Sequence, residues 1–151
     1  MASSDPVARI PFAPAPRDFP GHPMPPSVPA GMRLELSRAP LVEGRGAEFD
    51  EWMAMLNSRP EELQAGLPAE RVVFEATFLH VEADGSRWMY HLTLRGEESG
   101  GLDESIPIDA DHAACSRRVK MPGWEELAPR FMLAPDHLLE AMRSWAVTGE
   151  R

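Results

Sequence analysis

The stretch that decides the fold is Arg71–Arg95, RVVFEATFLHVEADGSRWMYHLTLR. Two runs rich in Val, Phe, Thr, Trp and Tyr flank Ala83-Asp84-Gly85, which marks a β-hairpin. A three-residue loop with glycine last suits a type I turn followed by a left-handed residue, since glycine has no Cβ to clash at positive φ. Such a loop pairs residue 82 with 86 and collects the even positions on one face. The even set is Val72, Phe74, Ala76, Phe78, Trp88, Tyr90, Leu92 and Leu94, nearly all apolar. The odd set, Val73, Glu75, Thr77, Leu79, Met89, His91, Thr93 and Arg95, is mixed. A two-residue Asp-Gly turn would shift the parity and scatter both sets, so the three-residue loop is expected.

Outward from the hairpin, Met32–Ala39 reads as a strand, with Leu34 and Leu36 alternating against Arg33, Glu35 and Ser37. Phe49, Trp52, Met53 and Leu56 fall at i, i+3, i+4 and i+7, one stripe of a helix. Ser58-Arg59-Pro60-Glu61 resembles a capping box with an early proline, opening a short helix through Leu63 that ends near Gly66. Beyond the hairpin, Asp109 is placed to cap a helix over Ala110–Val119. Arg130–Leu133 reads as a short last strand, held to an edge by Pro129. A final helix over Asp136–Ala146 shows Leu138, Leu139, Met142 and Trp145 on one side.

Without the extra helices this order is βαββαβ, the ferredoxin-like α+β arrangement of an antiparallel sheet with helices on one face. The apolar even face of the hairpin suits the helices. The semi-polar face then suits a second copy, giving a homodimer with a barrel-like cavity between sheets. Residues 1–31 form a separate arm: nine of the sixteen prolines lie between Pro6 and Pro29. Proline removes donors and fixes φ, so this arm is extended, either as a flexible leader or as a strap on its own domain or a neighbour. The α+β domain spans 32–146 and a short tail follows at 147–151.

Composition narrows the function. With 24 Asp and Glu against 15 Lys and Arg, the net charge is −9, which argues against sequence-independent binding to nucleic acid or to an anionic membrane. No apolar run approaches the ~20 residues of a membrane helix, and Met1–Ile10 lacks a secretory signal. Cys115 is the one cysteine, so no intramolecular disulfide forms. A cytoplasmic protein is the expectation.

In Met32–Ser37, the Phe49/Trp52/Leu56 helix, Pro60-Glu61-Glu62, Phe74-Glu75, Phe78-Leu79, Asp84-Gly85 and Ile108-Asp109-x-x-His112, the chain resembles an uncharacterised bacterial family. That family, a domain of unknown function, is grouped with the dimeric α+β barrel proteins. The resemblance covers about Met32–Leu133 and implies the fold and a dimer, with no reaction attached.

The candidate chemistry sits on the odd face. Glu75, His91 and Glu35 are candidate catalytic groups, because a carboxylate beside a histidine in a half-apolar cavity can exchange protons near neutrality. Arg95, Thr77, Thr93 and Arg33 are candidate substrate-binding groups, with Arg95 suited to a carboxylate or an enolate oxygen. His112, expected in the first turn of the Asp109-capped helix, is a further candidate as a neutral imidazole. A solvated sheet face or a salt-bridge network is the plainer account of the same residues. No histidine pair or Cys-x-x-Cys has metal-site spacing, and Gly44-Arg45-Gly46 lacks a nucleotide fingerprint, so no metal or cofactor is expected. The expected function is acid–base chemistry on a partly apolar small molecule, as in a cofactor-independent isomerase or cyclase. The alternative is a non-catalytic dimeric interaction module that uses its arm.

Overall fold

In the computed structural model residues 11–151 are described, and the first ten residues of the arm lie outside them. Eight elements follow: β1 (Met32–Pro40), α1 (Gly46–Ser58), α2 (Pro60–Glu70), β2 (Val72–Val81), β3 (Arg87–Gly96), α3 (Pro107–Val119), β4 (Glu125–Leu127) and α4 (Asp136–Thr148). The chain is α+β, with one four-stranded sheet ordered β2-β3-β1-β4 and every neighbouring pair antiparallel.

The hairpin closes as its turn chemistry dictates. Glu82 N–H donates to Ser86 O at 2.8 Å, and Gly85 takes φ +84°. Glu75 lies opposite Thr93, Thr77 opposite His91 and Leu79 opposite Met89, so the odd positions share a face. The first strand continues that face, with Arg33 opposite Arg95, Glu35 opposite Thr93 and Ser37 opposite His91. One irregularity was not expected: the register shifts between Val72 and Phe74. This bulge turns Val72 to the side of Arg95 and lets Val73 join Leu94.

Two apolar cores lie on opposite faces of the sheet. On the odd face, Phe49 and Trp52 of α1 and Val119 of α3 pack on Met89 and Leu41. On the even face, Ala146 of α4 packs with Val28, Met32 and Leu94, joined by Met24, Leu34 and Val73. Helices therefore cover both faces, and the expectation of helices on one apolar face is corrected. The helical layer α1–α3 sits on the semi-polar side because Ala39, Met89 and Val72 give it apolar footing there. The apolar side is closed in part by α4 and by the arm.

The described arm lies on its own domain. Ala15 N–H donates to Trp124 O at 2.7 Å, and His22 Nε2 lies 3.1 Å from Glu126 O. Phe12 meets Trp88 edge-on at 5.8 Å, and Val28 is buried beside Met32. The arm thus runs beside β4, which is an edge of the sheet.

Three element bounds differ from the sequence reading. The last strand is Glu125–Leu127, paired with Leu36–Arg38, while Arg130–Leu133 is irregular. An ion pair from Arg38 to Glu125 at 2.7 Å fixes that strand, and no hydrophobic alternation announces it. The second helix continues past Gly66 and Pro68 to Glu70, where Arg71 ends it in the left-handed region. The third helix begins at Pro107, not Ala110, so Asp109 sits inside its first turn and His112 in its second.

Candidate functional site

Between α1, α2 and α3 and the odd face of the sheet lies an open cleft of about 980 Å³. Helix α1 contributes Met53 and Leu56, and α2 contributes Leu63, Leu67 and Glu70. From the sheet come Glu75, Thr77, His91 and Arg95, and from α3 come Asp109 and His112. This cleft is formed within one chain, beneath its own helices.

Strand alternation puts the polar sheet residues in reach of each other. His91 Nε2 lies 3.6 Å from a Glu75 carboxylate oxygen, and its Nδ1 lies 3.2 Å from the Thr77 hydroxyl. The Glu75 side chain is 45 % exposed, at the cleft's outer lip, while His91 lies deeper. Removal from water raises the Glu75 carboxyl above the usual range; the His112 imidazole counters and Asp109 reinforces. Burial lowers the His91 imidazole, and Lys120 adds to that. Acid and base are both displaced toward the form without charge, as a half-apolar site requires.

His112 is anchored from behind. The indole N–H of Trp52 donates to His112 Nδ1 at 3.0 Å, and the two rings lie 5.3 Å apart. Burial is the largest influence on His112 and lowers it. Asp109 is buried, and its carboxylate accepts from Asp103 N–H at 3.0 Å, which ties the 97–106 loop to α3. Glu70, at the end of α2, is raised to about 7 by burial, with Asp109 and Glu75 adding repulsion.

Five expected site residues therefore line one cleft: Glu75, His91, His112, Thr77 and Arg95. Three others stand outside its lining. Glu35 binds Arg95 Nε in an ion pair, with Arg33 Nε at 3.8 Å, and so holds Arg95 at the cleft floor. Arg33 donates to His22 O at 2.8 Å and latches the arm. Thr93 lies between Glu35 and Glu75 in register. Trp52, Glu70 and Asp109 were not anticipated. The i, i+3, i+4 stripe marked Trp52 as core, and only the pairing of α1 with α3 shows its N–H to be employed. Among the described residues no three His, Cys, Asp or Glu side chains form a group able to hold a metal ion.

A family model described as a family of unknown function (DUF6176) matches residues 32–140. The chain belongs to DUF6176. No curated protein and no solved structure matches it. The DUF6176 match begins where β1 begins and ends within α4, so the whole cleft lies inside it.

Proposed function

We propose that this DUF6176 domain is a small enzyme that needs no cofactor and moves a proton on a partly apolar small molecule, as an isomerase or cyclase does. The observation that carries the reading is the convergence of Glu75, His91 and His112 in one cleft whose opposite wall is Met53, Leu56, Leu63 and Leu67. In its ionised form Glu75 accepts the proton, and its raised pKa keeps it a useful base near neutrality. His91 stands beside it and orients the carboxylate. Arg95 carries five donors, of which the bonds to Glu35 and Gly96 O engage two, and the rest suit an oxygen of the ligand.

The order β2-β3-β1-β4 with antiparallel neighbours supports a ferredoxin-like arrangement for the βαββαβ part of the chain. The apolar even face supports a homodimer formed sheet to sheet, away from the cleft. No helix among the described residues is long and apolar enough to cross a membrane. Together with the single cysteine, this supports a cytoplasmic setting. The alternative of an interaction module clasping its partner with the arm has less support, because residues 15, 22 and 28 bond or pack on their own domain.

The test begins with native mass spectrometry of the protein purified gently from its own cells, to identify a bound small molecule. That molecule is then incubated in D2O with wild type and with Glu75→Gln. Wild type is expected to place deuterium on carbon, and the variant to do so about 100-fold more slowly, the usual worth of a positioned base. Equal rates in the two proteins, or no uptake in either, would sink the acid–base reading.

A further inference from the structure

The hydrogen bond between Trp52 and His112 decides which nitrogen of the imidazole carries its proton. An indole N–H is a donor only, so the His112 Nδ1 that it meets at 3.0 Å must present a lone pair. An imidazolium would set N–H against N–H. The remaining ring proton therefore sits on Nε2. Trp52 is 2 % exposed and packs in the core under α1, whereas His112 lines the cleft. Nδ1 faces the core, and Nε2 is the nitrogen left to the cleft.

We propose that Trp52 is a positioning residue that fixes His112 as the neutral Nε2–H tautomer, so that His112 donates a hydrogen bond to a ligand oxygen and is not the base. The proposal rests on the acid–base reading above and narrows its substrate class. The ligand brings a carbonyl-type oxygen to Nε2, next to an acidic C–H that faces Glu75. In the step itself, the Glu75 carboxylate takes the proton from carbon. The C–H electron pair moves onto the carbonyl as an enolate, whose oxygen is held by the His112 Nε2–H. Glu75, now a carboxylic acid, returns the proton to a different carbon, the γ carbon of a ligand with a β,γ double bond, and completes a double-bond isomerisation with no other reactant. His112 keeps its proton throughout. A neutral donor is the better match, since an imidazolium in this cleft would pair with Glu75 and suppress the base.

The groups facing His112 divide. Glu75 on β2 and Asp109 on α3 favour the charged ring, while His91 on β3 and Lys120 after α3 oppose it. Burial outweighs them and keeps the ring neutral.

Nitrogen-15 NMR of the histidine-labelled full chain tests this without a known ligand. In wild type, His112 is expected to show an unprotonated, hydrogen-bonded Nδ1 and a protonated Nε2. This pattern should persist to a pH below that at which an ordinary histidine charges. Trp52→Phe is expected to mix the tautomers and move the titration back toward the ordinary value, with His91 unchanged. A wild-type His112 that carries its proton on Nδ1, or that titrates normally, overturns the proposal, as does an unaltered His112 spectrum in the variant. The wild-type spectrum decides alone if Trp52→Phe fails to fold. Failure here leaves the deuterium result for Glu75→Gln standing, and failure of that result leaves the tautomer standing, so the two readings fall separately.

Discussion

Glu70 closes α2 at the cleft wall, where burial first, then Asp109 and Glu75, push its carboxyl up to about 7. In the unfolded chain the same group titrates near 4.3. Between those two values the folded protein holds a proton that the unfolded chain has released, so stability falls as pH rises from about 4.3 through about 7. Glu70→Gln removes this dependence and should stabilise the protein at pH 8 by roughly 1 kcal/mol, well below the shift's face value because the group is partly exposed and solvent screens it. Urea midpoints at pH 5 and pH 8 check it. A variant whose loss of stability with pH equals that of wild type would show that Glu70 is not the group responsible. At this scale part of the candidate cleft lining was legible in the sequence. Period-two alternation placed Glu75, Thr77, His91 and Arg95 on one face, and the sheet did the rest. Glu70 and Asp109 gave no sign, because a carboxylate's neighbours across the cleft come from other elements. Trp52 was legible as core, which it is, but a helix stripe reports burial and says nothing of where an indole N–H points.

Among the elements, the arm shows how much residues outside the regular structure contribute. Val28 is buried against Met32, Leu94 and Ala146, and Met132 N–H donates to Ser27 Oγ at 2.9 Å beside it. The arm thus completes the even-face core where α4 meets the sheet. Val28→Ala should cost about 2 kcal/mol, the worth of a buried valine's lost methyls plus part of the cavity they leave. It should lower the urea midpoint without altering the slope. An unmoved midpoint would mean that the arm leaves the domain in solution. Proline density marked the arm as extended yet could not say what it touches, because its contacts are single apolar side chains spaced along a run without period. The short β4 was hidden for a related reason. Glu125–Leu127 has too few residues to alternate, and it is held by the Arg38–Glu125 pair and by the arm beside it. The hairpin, with ten residues a side and a glycine-closed turn, specified itself.

For the whole molecule the question is what meets the even face. One register row crosses all four strands there: Ala76, Leu92, Leu36 and Leu127 lie side by side. Phe74 and Phe78 flank it at 42 % and 56 % exposed, and Leu127 is 40 % exposed. Phe131 and Leu133 are exposed on the segment whose Met132 reaches the even-face core. Contiguous apolar surface on one side of an antiparallel sheet is the face that such sheets bury. In the homodimer proposed above, a second copy would supply the same row about a two-fold axis in a self-complementary interface, with the two sheets stacked at roughly 10 Å. The cleft lies on the opposite face of the sheet, so that proposed assembly would leave it open. Phe78→Glu puts a charge into the proposed interface on both copies. It should raise the dimer dissociation constant about 100-fold or more, near 3 kcal/mol. Sedimentation velocity reads that change, while the His112 nitrogen spectrum, on the far side of the sheet, should stay as in wild type. A wild-type chain that sediments as a monomer throughout the micromolar range would leave the even face without a second copy. A dimer untouched by Phe78→Glu would place the contact elsewhere.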